Sequence, residues 1–206
     1  MRLTSAPLRL RARARPSRGG GLRCLWRAQE GIAALEFALS ASVLMLLALS
    51  GIEVTRFLII EQKVDEVAAT MADLVAQSTT LTKASLSQMM TAAGQIIQPE
   101  ANDFAAQGTV IITSVYQNGT GTAPTVQWNY SGGGTLSRTS KIGTVGGNAT
   151  LPGGLVLNDK DNVIVAEVYY HYTPILSVSA GLLSPQDIYR TTVYKPRLGA
   201  LTTPPS

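Results

Sequence analysis

Residues Ile32 to Ile52 read IAALEFALSASVLMLLALSGI, twenty-one residues carrying one charge, Glu36. At about 1.5 Å rise per residue this run makes a helix of roughly 31 Å, the thickness of a bilayer's hydrocarbon core. Ser40, Ser42 and Ser50 can bond back to carbonyls of the preceding turn, so they do not break the helix. A buried helix of a soluble protein averages only about 11 or 12 residues. The run is therefore read as a transmembrane helix.

The charges around it fix an orientation. The chain has 206 residues and a formal net charge of +4. Residues 1–31 hold eight arginines against one acid, Glu30, whereas the remaining residues hold nine basic and twelve acidic groups. Arginines crowd one end of the apolar run. The twenty residues beyond its other end hold Arg56 and Lys63 against Glu53, Glu61, Asp65 and Glu66. The excess of basic residues marks the cytoplasmic side, so the larger C-terminal part is exported. The expected organisation is a basic cytoplasmic leader, 1–31, a transmembrane helix, 32–52, and an exported domain, 53–206. An ordinary cleaved signal has an apolar region of about 7 to 15 residues ending in a small-residue site, which does not fit.

Several function classes drop out. The basic excess belongs to the leader and not to a folded surface, which argues against a nucleic-acid partner. Cys24 is the only cysteine, so no intrachain disulfide forms, and it precedes the apolar run, where a lipidated cysteine would follow it. His171 is the only histidine, which removes any two-histidine metal site. Glu167 and His171 sit two pleats apart on one strand face, roughly 13 Å along it, beyond a direct hydrogen bond. Gly132-Gly133-Gly134 and Gly146-Gly147 lack the flanking residues of a phosphate loop. Three matches to the glycosylation sequon, at Asn118, Asn129 and Asn148, are read as chance. We expect no enzyme activity, no cofactor, no metal and no small-molecule substrate.

Glu36 is the residue that needs explaining. A carboxylate costs about 2.5 to 3.5 kcal/mol at mid-bilayer, and such groups are usually paired and functional. Glu36 is the fifth residue of the run, roughly 7 Å deep. Cleavage after Gly31 would free an ammonium on Ile32, about four residues from Glu36. In a bundle of staggered identical helices, the amine of one chain could meet the carboxylate of its neighbour and set the register of assembly.

The string Gly31-Ile32-Ala33-Ala34-Leu35-Glu36-Phe37-Ala38-Leu39 resembles the processing site of type IV prepilins, in which a membrane aspartyl peptidase cuts after glycine and the fifth mature residue is glutamate. More closely, Glu30-Gly31 through Leu39 resembles the start of the TadE-like pseudopilins of tight-adherence (Flp) pilus systems. Gly51-Ile52-Glu53 at the end of the anchor and Tyr194-Lys195-Pro196-Arg197 are further matches. That family often has a proline in mid-anchor where this chain has Ser42. The resemblance implies a minor pseudopilin of the bacterial inner membrane, with Gly31, Ile32, Glu36 and Phe37 as its processing and assembly residues. It also implies as partners the bilayer, a prepilin peptidase, other pilins and pseudopilins, and pilus-assembly proteins. The competing reading is an uncleaved single-pass protein whose periplasmic domain binds a ligand or an envelope partner.

The exported part reads as α+β. Ile60, Val64, Val67, Met71 and Leu74 recur at spacings of four and three, one apolar stripe of a continuing helix. Ser78 to Thr82 is a break, with Thr82 as the cap of a second helix. That helix presents Leu86, Met89, Met90, Ala93, Ile96 and Ile97, and Pro99 stops it. The period then falls to two. Thr109–Tyr116 is a strand, Asn118-Gly119 a turn, and Val126, Trp128 and Tyr130 the buried face of another strand. Residues 131–154 contain eight glycines and are read as a long flexible loop. Val163–Tyr172 is the clearest strand, with Ile164, Ala166, Val168, Tyr170 and Tyr172 on one face and Val163, Val165, Glu167, Tyr169 and His171 on the other. Ile188–Tyr194 is the last strand. The expected fold is a long N-terminal helix, transmembrane and then amphipathic, packed on a small antiparallel sheet; the resemblance makes it pilin-like.

Overall fold

The computed structural model describes residues 30–101, 103–119, 121–175 and 184–206. The arginines of the leader, Cys24 and Thr120 of the first sequon lie outside the described residues. Two compact units divide between Leu46 and Leu47.

A helix, α1, runs over Glu30–Ala76. Its residues in the first unit are apolar and exposed: Leu35, Phe37, Leu39 and Leu44 are each at least 65% accessible. The most apolar 18-residue window has mean hydropathy 2.2 and none of it is buried. Such a helix is long and apolar enough to cross a membrane, and its exposed face is the surface a lipid bilayer covers. Ser42 Oγ donates to the carbonyl of Ala38 at 2.7 Å, so its hydroxyl is satisfied without leaving the helix.

In the second unit, α1 is one-sided. Ile60, Val64, Val67, Ala68, Met71, Ala72 and Val75 are fully buried. The stripe departs from the expected one at its end: Leu74 is 40% exposed and Val75 takes the core position. The period is 3.6, so a run of four-three steps drifts off the buried face, and here a second apolar residue stands where the face falls. The charged Glu61, Lys63, Asp65, Glu66 and Asp73 all stay at least partly accessible.

Helix α2 covers Lys83–Ile96. Thr82 caps it as expected, in a reciprocal box. Ser85 N–H donates to Thr82 Oγ1 at 3.0 Å, and Thr82 N–H donates to Ser85 Oγ at 3.0 Å. Leu86, Met90, Ala93 and Ile97 are buried, with Met89 and Ile96 packed at the edge of the core. A short turn, α3, Phe104–Gln107, leads into the sheet.

The sheet has four strands in the order β2-β1-β3-β4, all antiparallel, with β1 Gly108–Tyr116, β2 Thr125–Gly132, β3 Asn162–Tyr172 and β4 Gln186–Tyr194. β3 divides its side chains as the alternation demands. Ile164, Ala166, Val168, Tyr170 and Tyr172 join α1 and α2 in the main core; Val163 and Val165 join a second cluster on the opposite face.

β2 does not keep one buried face. Ser114 pairs with Trp128 but Val115 pairs with Val126, so Gln127 is an extra residue in the ladder. This bulge turns the strand over. Trp128 packs in the main core, whereas Val126 joins the second cluster.

The second cluster also corrects the reading of residues 131–154. This segment lies across the outer face of the sheet and buries Ile142 and Leu151 against Val115, Val126, Val163 and Val165. Both faces of β1 and β3 are therefore covered, and nearly every residue of these two strands is buried. The glycines permit close approach: a Cβ on Gly134 would stand 2.2 Å from the Gly108 carbonyl oxygen. Finally, residues 195–206 wrap the domain. Leu201 is buried, its carbonyl accepts from Ser114 Oγ at 2.7 Å and Trp128 Nε1 at 2.8 Å, and its N–H donates to Asn162 Oδ1 at 2.7 Å.

Candidate assembly site

Gly31, Ile32, Glu36 and Phe37 fall in the opening turns of α1, in the first unit. All four are exposed, Ile32 at 56% and Phe37 at 76%. Ile32 and Glu36 are four residues apart and so share a helix face. A Cβ on Gly31 would have nothing within 4 Å among the described residues. Glu36 thus presents its carboxylate from a helix whose neighbouring Leu35, Phe37 and Leu39 are more than 70% exposed. In a bilayer such a carboxylate is costly unless it is paired.

A second carboxylate, Glu53, closes the apolar run in the second unit. The sequence offered it as part of Gly51-Ile52-Glu53 and among the acids beyond the apolar run. It is 2% exposed. The Tyr172 hydroxyl donates to it, as does Ile175 N–H at 3.2 Å, and Arg56 Nη1 stands 3.7 Å from the same oxygen. The Phe57 ring meets Tyr172 edge-on at 5.1 Å, and the Arg56 guanidinium lies 5.5 Å from the Tyr172 ring centroid. A carboxylate taken out of water is tolerated only when it is paired and hydrogen-bonded, and Glu53 has both. Burial, with the hydrogen bond to Glu53, pushes the Tyr172 hydroxyl up to about 12. The cluster fastens the first turn of the helix beyond the apolar run to the end of β3. The signal in sequence was an acid one residue past an apolar run, but its partner lies 119 residues away, beyond any local pattern.

A third carboxylate, Glu167, is fully buried on the outer face of the sheet. It accepts from Ser140 Oγ, from Lys141 N–H at 2.9 Å and from Tyr189 OH at 3.0 Å, with Tyr169 OH at 3.4 Å. Lys141 Nζ sits 3.8 Å from the Tyr189 ring centroid, a cation over an aromatic face. Burial drives the Tyr169 and Tyr189 hydroxyls well above their ordinary range, helped by the charge of Glu167. Ser140 and Lys141 come from the segment expected to be loose, and Glu167 ties it to the sheet.

The structure does not bring Glu167 and His171 together. His171 Nδ1 pairs with Asp187 at 2.7 Å, and Arg138 reaches the other oxygen of Asp187 through Nε at 2.9 Å and Nη2 at 2.6 Å. His171 and Arg138 hold the Asp187 carboxyl below the usual range. Two further ion pairs link α1 to later segments: Glu61 with Arg190 on β4, and Asp73 with Arg197 at 2.6 Å. Arg197 belongs to the Tyr194-Lys195-Pro196-Arg197 stretch singled out in the sequence, and its N–H also donates to Ala76 O at 2.9 Å. That stretch therefore fastens the end of α1.

No curated protein and no solved structure matches the chain. The family model described as TadE-like protein matches residues 31–73. The match starts at the glycine before the apolar run, takes in Glu36 and Glu53, and ends at Asp73; residues 74–206 lie outside it. The similarity to that family is confined to the helix that carries the apolar run and the first part of the core stripe.

Proposed function

We propose that this protein is a minor pseudopilin of a tight-adherence pilus machine, cut by a prepilin peptidase between Gly31 and Ile32. The TadE-like match associates it with pilus assembly and the exposed apolar helix with a membrane. The observation that carries the finer reading is the position of Glu36, five residues after Gly31, on a helix with no apolar residue around it buried. Cleavage supplies the missing cation as the amine of Ile32. Within one chain the two groups share a face, and between staggered chains the amine of one neutralises the acid of the next. Phe37 and its apolar neighbours supply the surface along which such helices pack. The N-terminus lies in the cytoplasm, the anchor in the inner membrane and the sheet domain in the periplasm, where it meets other pilins and assembly proteins. It acts by packing and contact, without turnover.

Intact-mass measurement on membrane-extracted protein, from cells with and without the peptidase, tests the processing step. The expected result is loss of residues 1–31 only when the peptidase is present. Equal masses that retain those residues would overturn it. Glu36→Ala separates this reading from that of an uncleaved tether: the variant accumulates normally in the membrane and forms no fibres under the first, and behaves as wild type under the second.

A further inference from the structure

We propose that a groove where α1 leaves its apolar run holds one phospholipid whose headgroup carries both a phosphate and a primary ammonium. The groove has a volume of about 540 Å³. Its near side is made by Ala48 and Ile52, its far side by Ile59, and two charged residues, Arg56 and Glu100, line it as well. Ile52 is 63% exposed and Ile59 37%. At about 1.5 Å per residue, Arg56 stands roughly 6 Å beyond Ile52, which is the depth at which hydrocarbon gives way to headgroups. The groove thus joins an apolar side next to the anchor, Ala48 and Ile52, to the charged Arg56 and Glu100 beyond it, with Ile59 closing its far end.

The charges select among lipids. Arg56 Nη1 and Glu100 Oε2 are both buried atoms without a hydrogen-bond partner. Arg56 is already engaged through Nη2, which donates to the Glu100 carbonyl at 3.3 Å, and through its ion pair with Glu53. Around the groove, Glu53 and Glu100 outnumber Arg56 two to one. A headgroup with phosphate alone would meet a surplus of negative charge. A headgroup that adds an ammonium places its phosphate on the guanidinium and its N–H donors on the Glu100 carboxylate. A quaternary ammonium has no N–H to donate and leaves Glu100 unsatisfied. The chemistry therefore points to a phosphatidylethanolamine-type lipid. This inference rests on the membrane anchor and is independent of processing at Gly31.

The test uses the full chain in bilayers of phosphatidylcholine, phosphatidylglycerol and phosphatidylethanolamine in equal parts, followed by native mass spectrometry of the protein released in mild detergent. One retained lipid per chain is expected, with phosphatidylethanolamine enriched about tenfold over either competitor, the factor that one charged hydrogen bond confers. Glu100→Gln should erase the preference over phosphatidylcholine. Gly51→Leu should remove the retained lipid: an added Cβ there meets nothing within 4 Å, so the larger side chain occupies the groove without disturbing the fold, which a melting temperature no lower than that of the wild type confirms. Retained lipids that mirror the bilayer composition, a preference for phosphatidylglycerol, retention unchanged in Gly51→Leu, or a second copy of the chain in place of lipid would each overturn the proposal.

Discussion

The hydroxyl of Tyr172, the last residue of β3, donates to the carboxylate of Glu53, which stands one residue beyond the apolar run of α1. This contact joins residues 119 apart in the chain. It ties the helix, just past its apolar run, to the sheet of the second unit. From Ile60 onward the helix sets a buried apolar face against a charged, accessible one; before Glu53, the large apolar residues are exposed except Leu49, which is half-buried.

Removing the contact should be costly in proportion to what is left unpaired. Tyr172→Phe leaves Glu53 with Ile175 N–H and Arg56, so about 1 to 2 kcal/mol of stability is lost. Glu53→Leu removes the carboxylate, leaves the Tyr172 hydroxyl buried without an acceptor and strips Arg56 of its counter-charge, and about 2 to 4 kcal/mol is lost. The double variant should lose less than the sum of the two. Denaturant unfolding of the full chain in detergent measures all three.

Alkaline pH should weaken the domain. Tyr172 is held at about 12 against an ordinary 10, first by burial and then by the hydrogen bond to Glu53. Burial also raises Tyr169, Tyr170 and Tyr189. A folded-state value above the unfolded one means the folded chain holds its protons longer. The associated stability is complete below pH 10 and falls as pH rises through 10 toward 12 and beyond. In a titration followed by tyrosinate absorbance, these four hydroxyls should ionise late and together with loss of the folded circular-dichroism signal. Ionisation of all tyrosines near pH 10 with the fold intact would contradict this.

Glu167 should govern the segment that crosses the outer sheet face. Ser140 Oγ, Lys141 N–H and the Tyr189 hydroxyl all donate to it. Glu167→Gln replaces one accepting oxygen with an amide that can only donate, at a cost of about 1 to 3 kcal/mol. The segment should then open more often than the rest of the domain. Limited trypsin digestion reports this, since Arg138 and Lys141 both lie in the segment; cleavage there should accelerate in Glu167→Gln while cleavage at Lys83 and Arg190 does not.

What was legible in sequence was whatever has a short period. The alternation of β3 assigned Ile164 to Tyr172 to their faces correctly, and the four-three spacing placed Ile60 to Met71 in the core. Thr82 was legible because a cap acts within three residues. Leu74 was misassigned because a fixed step pattern cannot choose between two adjacent apolar residues. Trp128 and Val126 were put on one face because a bulge inserts a residue without any residue type announcing it. The glycine-rich segment looked loose because its anchoring is polar and distant: Ile142 and Leu151 are few, and Ser140 and Lys141 are held by an acid on another strand. Glu36 and Gly31 stood out from their position at the edge of an apolar run, whereas Glu53 needed its partner to be seen.

The same segment supplies a test of close packing. Gly134 stands where a Cβ would lie 2.2 Å from the carbonyl oxygen of Gly108 and 2.9 Å from that of Phe104. Both are backbone atoms at the junction of α3 and β1, so they cannot swing away as a side chain would. The neighbouring Leu136 N–H donates to that same Gly108 carbonyl at 3.2 Å, and Thr135 N–H donates to Ala105 O at 2.9 Å. Gly134→Ala must therefore either break these bonds or displace the start of β1, at about 2 to 4 kcal/mol. Gly51→Ala, where an added Cβ meets nothing within 4 Å, should not lower stability, because a helical glycine replaced by alanine gains propensity. Melting temperatures of the two variants in the same detergent should move in opposite directions, and a Gly134→Ala protein as stable as wild type would show that the segment does not approach the sheet this closely.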